Sequence, residues 1–485
     1  MAQGTNRRDV LRRTGALAAL GSAGLAGCIA DENGNGNGGN GGNGGNGGNG
    51  DSDGDGNGNG NGDGNGSQQV SDETIRIGAL QPVSGDLEYY GQISLMGFYS
   101  GIAYKYDVDP VTEMTTGTHT IDPDNGPTFE FIVEDTEFTP DIAQSVAESL
   151  VLDEEVDLLF GASSSDSARR ISTNILDEAG VPYIAGPSAD ADITASSEYC
   201  HDLLFRASEH TGMDARAGGR YVAQQGDVST VAIFAAEGAF GEGVANNYTE
   251  VLENEGVEVL EPRFVEPGYS EFEGLFDEAL DQGADGVVGG FTFITLPEFL
   301  PTAMAYDEIQ AFGGFAELVT TQITGQAVEA TLGEDFTAED IQESGLGPFT
   351  TRYHWNQYDN EINDAFIELH TEAYGLMPDL FSAGTFVGGS ALVQAIDETG
   401  SVDSGDIADA MRGMTVTDTP KGEGAYTFQE HNNQAASAMT VAWPVPTSDD
   451  VSEYWDAAVM PGEPVETIPA EEVMIPAEDA SCSLN

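Results

Sequence analysis

Lysine is almost missing from this chain. Lys105 and Lys421 are its only two, and Lys and Arg together number 15 against 84 Asp and Glu, a formal net charge of −69 over 485 residues. The only neighbouring bases beyond residue 27 are Arg169 and Arg170, so there is no basic stripe to follow a phosphate backbone, and no nucleic-acid partner is expected. Cysteine is also scarce, at three. There is no CxxC, no HExxH and no EF-hand loop, so no metal or cofactor is expected. The GxSxG elbow is absent and the six histidines are scattered, so no catalytic set emerges and the chain is not read as an enzyme. Past Ala26 no run is long and apolar enough to span a bilayer.

What is present begins at the N-terminus. Arg7, Arg8, Arg12 and Arg13 precede a short, weakly apolar run from Gly15 to Ala26, the layout of an export signal. The paired arginines are those of a Tat-type signal. Leu25-Ala26-Gly27-Cys28 follows as a lipobox, which makes residues 1–27 a removed signal and Cys28 a lipid-bearing first residue. Residues 28–70, mostly Gly, Asn and Asp, are too polar to order themselves and read as a linker with a reach of about 30–40 Å. The expected location is therefore the outer face of a cell membrane. Removing the signal takes one acid and four bases, leaving 83 acids against 11 bases, or −72. Such a surface repels itself in dilute buffer. In molar salt the Debye length falls to about 3 Å, and the even spread of acids reads as a halophile's surface. Cys200 and Cys482 are the thiols left after lipidation, and an exported chain permits their pairing as a staple from the C-terminal segment to the first lobe. Asn65 and Asn247 stand in glycosylation sequons.

The remaining chain, about 410 residues, alternates short apolar runs with helical periodicity. Strands are expected at 74–80, 129–133, 156–160 and 181–185, with helices between them. The rhythm restarts after residue 206, with strands at 231–235, 257–260, 286–289 and 311–315. The expected fold class is α/β, with two Rossmann-like lobes, each a parallel doubly wound sheet. The segment 446–485, acidic and rich in proline, is expected to be a surface tail. In parallel sheets ligands sit beyond the carboxyl ends of strands. The strand 156–160 ends in Gly161-Ala162-Ser163-Ser164-Ser165-Asp166, where hydroxyls and amides at a helix start suit a carboxylate, with Asp166 as the cap and Ser163 facing the cleft. Gly186-Pro187-Ser188-Ala189 forms a second small polar lip.

From residue 74 to 443 the sequence resembles the extracellular amino-acid-binding receptors of ABC importers, of the branched-chain type. The stretches that carry the resemblance are IRIGALQPVSGDLEYYG, VDLLFGASSSDSARRISTNILDEAGVPYIAGPSA, FGEG and VVGGFTFITLPEFL. The resemblance implies lobes joined by three hinge crossings, near Phe205–Ser208, Pro348–Tyr353 and Thr419–Gly422. Lobe 1 would then comprise 71–206 plus 349–419, and lobe 2 207–348 plus 420–445. It also implies that Ser163, with Ser164, holds a ligand carboxylate and that Ser188 or Ala189 assists. Tyr90 would pack on the ligand, Phe240 stands where a tyrosine is usual, and Thr292 lies in a stretch replacing another tyrosine. In GGFAELV the family's ammonium-binding glutamate falls nearest Ala316, with Glu317 one place later. The implied function is capture of a neutral amino acid by a monomer and its delivery to an ABC permease. The alternatives are an amide or urea receptor of the same fold, a sensor coupled to a membrane transducer, or a tethered hydrolase using one of Ser163 to Ser165.

Overall fold

The computed structural model describes residues 70–226, 228–314, 317–448 and 452–484. The signal, Cys28, nearly all of the linker, Asn65 and Ala316 lie outside the described residues.

The first sheet has six strands, β1 (Thr74–Gln81), β2 (Gly117–Ile121), β3 (Thr128–Asp135), β4 (Leu158–Gly161), β5 (Tyr183–Ala185) and β6 (Leu204–Arg206), in the order β2-β3-β1-β4-β5-β6. All neighbours are parallel except β2, which runs antiparallel to β3 and was not expected from the sequence. Strands buried on both faces need continuous apolar runs, and LLFG in β4 is one. Leu158 and Phe160 enter one core with Phe98 and Phe131, while Leu159 enters the other with Ala147 and Ile171. Helices Tyr89–Tyr106 and Leu380–Thr399 cover the first face together. A Cβ on Gly97 or Gly101 would sit 2.2 Å from a carbonyl oxygen of Ser382 or Phe386, so glycine allows the two backbones to touch.

The second sheet holds β7 (Thr230–Ala236), β8 (Glu258–Val259), β10 (Gly286–Gly290), β11 (Gln310–Gly314) and β12 (Leu346–Thr351), with β9 (Arg263–Val265) also paired to β7. A three-stranded sheet of β13 (Thr415–Val416), β14 (Tyr426–Phe428) and β15 (Ala435–Ala436) follows. Then β16 (Met439–Ala442) joins β12 antiparallel. The chain therefore crosses between lobes after β6, after β12, and between β15 and β16.

The third crossing corrects the boundary expected at Thr419–Gly422. Tyr426, Phe428 and Ala435 are buried in the first lobe's core, and Lys105 reaches back from helix Tyr89–Tyr106 to Asp418 at 2.5 Å. Residues 420–436 thus belong with lobe 1. The surface tail is corrected as well. Segments β17 (Pro444–Pro446) and β18 (Val459–Pro461) pair with each other, and β19 (Glu466–Ile468) extends the second sheet beside β16. Trp455, Val459 and Val473 are fully buried. The chain then returns to the first lobe: Cys482 N donates to Ala195 O and Leu484 N to His431 O, and Cys200 and Cys482 are bonded, sulfur to sulfur, at 2.12 Å. The C-terminal segment is a fourth connection between the lobes.

Candidate functional site

The carboxyl ends of both sheets open on one cavity of about 310 Å³ between the lobes. On the first lobe, positive φ at Gly161 and Ala162 turns β4 into helix Ser165–Asn174. Ser164, not Asp166, caps that helix by accepting from Ser167 N at 3.4 Å. The Ser163 hydroxyl lies 2.8 Å from Gln81 Oε1 and 3.0 Å from Tyr90 O, so its single proton is held within the lobe. Ser165 Oγ accepts from Asp190 N.

The facing wall comes from the second lobe. Phe240 opens helix Ala239–Asn254, Thr292 and Phe293 follow β10, and Glu317 stands at the start of helix Leu318–Leu332. Glu317 is 3% exposed. Burial pushes its carboxyl up to about 7, nearby Asp379 adding to the shift while the hydrogen bond from Thr320 Oγ1 at 2.5 Å works against it. Tyr90 Oη reaches Glu317 Oε1 at 3.5 Å. Asp379 is likewise raised by burial, with Tyr89 Oη donating to it at 2.7 Å. The Tyr90 ring lies 5.1 Å from Phe293, 5.3 Å from Phe381 and 5.8 Å from Phe138, three edges of an aromatic cage. At the cavity floor Arg352 grips Asp214 with two bonds, Nε to Oδ1 at 3.0 Å and Nη2 to Oδ2 at 2.5 Å, and donates to Glu209 O.

The lobes are closed on each other. Besides the Tyr90 contacts, Asp166 accepts from Ala239 N at 3.2 and 3.3 Å, Leu318 N donates to Asp379 at 3.4 Å, and Arg169 faces Glu242 at 3.9 Å. A wall from each lobe, one cavity between them and three crossings behind it make a clamp for a small solute.

Residues 74–445 match the family described as periplasmic binding protein, 372 of the 485 residues. This chain belongs to the periplasmic binding protein family. The binding protein is 23% identical over 356 residues to the leucine-, isoleucine-, valine-, threonine- and alanine-binding protein of Pseudomonas aeruginosa, covering 73% of this chain and 86% of that one. Among solved structures it is similar to an amino acid ABC transporter substrate-binding protein from Pseudomonas fluorescens, at TM-score 0.67 and 18% identity over 85% of this chain and 99% of that one. It is also similar to an ABC transporter solute-binding protein from R. palustris in complex with benzoate, at TM-score 0.64 and 21% identity over 85% of this chain and all of that one. The family is one of solute binding for transport rather than an enzyme class. Among the described residues no helix is long and apolar enough to cross a membrane.

Of the residues named from the sequence, Tyr90, Ser163, Ser164, Ala189, Phe240, Thr292 and Glu317 line the cavity of the binding protein. Ser188 is wholly buried and is not among the lining residues; its carbonyl accepts from Arg206 instead. Sequence reasoning missed Phe138, Phe381, Asp379 and the Arg352–Asp214 pair. One signal for Arg352 was available, since it is the single positive charge between Arg263 and Arg412. The Asn247 amide donates to Thr211 Oγ1 and Gly243 O from a buried position, so in the folded chain that sequon is closed to a glycan.

Proposed function

We propose that this binding protein is the lipid-anchored receptor of an ABC importer, tethered through Cys28, and that it captures an apolar neutral amino acid as a monomer and delivers it to the permease. The observation that carries the reading is a buried carboxylate, Glu317, facing an aromatic-walled cavity whose other side is a hydroxyl-rich helix start. A zwitterion with an apolar side chain fits both ends, its ammonium at Glu317 and its carboxylate at the Ser163–Ser165 turn, where amides and the helix dipole favour an anion. Closure of the lobes around it is the form a permease would recognise.

A second reading has its own support. Burial raises Glu317 toward neutrality, to about 7, and a protonated carboxyl beside Tyr90 in an aromatic-walled cavity also suits an aromatic carboxylic acid. The two readings predict opposite pH dependence. An ammonium prefers the ionised Glu317, so amino-acid affinity should fall, by up to tenfold per unit, as pH drops below about 7. A carboxylate ligand prefers the protonated form and should weaken as pH rises above it. Calorimetry in molar salt from pH 6 to 8.5, with leucine and with benzoate, distinguishes them, and an affinity independent of pH for the preferred ligand would defeat both. For the anchor, Cys28→Ser should release the protein into the medium; equal membrane retention would sink it.

A further inference from the structure

Asp379 is buried beside the cavity without lining it, although Leu380 and Phe381 directly after it do. Its two oxygens have separate partners. Oδ1 accepts from Phe381 N at 2.9 Å and Ser382 N at 3.0 Å, the usual cap of its own helix, Leu380–Thr399. Ser382 Oγ accepts from Asp379 N in return. Oδ2 serves neither of those amides. It accepts from Tyr89 Oη at 2.7 Å and, from the opposite lobe, from Leu318 N at 3.4 Å. Leu318 is the first residue of helix Leu318–Leu332, where an N–H has no acceptor within its own helix. One buried carboxyl of the first lobe therefore serves two helix starts, its own and one of the second lobe. The two starts also share a hydrophobic cluster, in which Leu318 and Leu380 lie with Trp455. Tyr89 adds a further contact across the lobes, its ring lying edge-on to Phe293 at 6.4 Å.

We infer that Asp379 is a positioning residue for solute capture, which acts through Oδ2 by fixing the peptide that carries Glu317 when the lobes meet. Glu317 immediately precedes Leu318, so a bond that holds the Leu318 amide also holds the backbone on which the cleft carboxyl stands. The positive end of the helix dipole favours an oxygen acceptor at that amide. With the lobes apart, Oδ1 keeps both of its donors and Oδ2 keeps Tyr89, while the Leu318 N–H loses Asp379. The Oδ2–Leu318 bond thus stabilises the closed form alone. Its loss should shorten the time a solute is held and leave the rate of encounter nearly unchanged. The inference rests on the proposed small-solute role of the cleft, but the bond itself can be probed without a solute.

Asp379→Asn, studied in molar salt, separates the two roles. The Asn oxygen still caps its own helix, and the Asn NH2 can donate to Tyr89 Oη, which also accepts. It offers the Leu318 N–H no acceptor. By stopped flow, leucine, or benzoate if the parent binds that instead, should leave this variant about five- to thirtyfold faster, the loss of one helix cap. The association rate and the melting temperature of the unliganded protein should stay as in the parent. Ser382→Ala breaks only the own-helix side and should do the reverse, lowering the melting temperature without speeding dissociation. Leu318→Pro deletes the donor at a helix position that tolerates proline, and serves as the second variant should Asp379→Asn fail to fold. Added to Leu318→Pro, Asp379→Asn should speed dissociation no further. In residue-resolved hydrogen exchange the Leu318 amide should be protected in the parent and unprotected in Asp379→Asn. Equal exchange in the two, an unchanged dissociation rate in Asp379→Asn, or full additivity with Leu318→Pro overturns the inference. A protected amide with no binding of leucine or benzoate leaves the inter-lobe bond standing and overturns the proposed function of the cleft.

Discussion

At the residue scale, Glu317 is held in the folded chain against its own ionisation. Its carboxyl is raised from 4.5 to about 7, chiefly by burial. The folded state therefore keeps a proton that the unfolded chain gives up, and stability is full below pH 4.5 and declines as pH rises toward 7. At 1.36 kcal/mol per unit, the loss above pH 7 is about 3 kcal/mol. Glu317→Gln should recover about 2–3 kcal/mol at pH 8 and almost nothing at pH 4.5, as measured by denaturant unfolding in high salt. Ser163 behaves differently. Its hydroxyl serves buried Gln81, so Ser163→Ala should cost about 1–3 kcal/mol of stability by leaving that oxygen unpaired, visible as a lowered melting temperature without any ligand. The hydroxyl turn was legible in the sequence because strand order carries it to the sheet's carboxyl end, whereas Tyr90 was reached only through the family resemblance. Asp379 and Phe381 were not legible, because they meet Tyr89 and Tyr90 across 290 residues of chain, and no local pattern records such a meeting.

At the scale of elements, helix Ala239–Asn254 has no cap from its own chain segment. It starts after Gly238, at φ 104°, and makes no side-chain cap bond at its first residue. Asp166 of the opposite lobe supplies the missing acceptor, and this contact exists only when the lobes are together. Asp166→Ala should weaken ligand binding five- to thirtyfold, the equivalent of about 1–2 kcal/mol for a lost cap. Small-angle scattering should show less compaction on adding ligand. The central parallel strands β1, β3, β4, β5, β7, β10 and β11 were readable because strands covered on two faces need unbroken apolar runs. The third crossing was misread for an equally physical reason. Asp418-Thr419-Pro420-Lys421 has the look of a free hinge until Lys105 is found holding Asp418. In the C-terminal segment the apolar residues come in short runs, such as Ala457–Met460 and Val473–Ile475, broken by acids and prolines, so burial there left no periodic trace.

At the scale of the whole molecule, the disulfide on the first lobe closes a loop with a sequence separation of 282 that runs through both lobes. Replacing Cys200 and Cys482 by Ser should destabilise the protein by about 2–5 kcal/mol, measured as a shift in denaturant midpoint. Unreduced, unfolded parent should show no thiol labelling at these two positions. Salt acts at the same scale. Ten of the eleven Lys and Arg side chains among the described residues already reach a carboxylate, so most of the acids depend on solvent ions. Lowering salt from molar to about 0.1 M, where screening reaches only ~10 Å, should erase native circular dichroism. The two lysines carry one more consequence. Lys105 is paired with Asp418, and Lys421 is buried against Glu209 at 2.7 Å with Ser437 and Ala438 around it, right where the chain passes from one lobe to the other. An acylating reagent should therefore leave the folded body almost untouched, and mass gained at Lys421 would time how often the hinge itself comes apart.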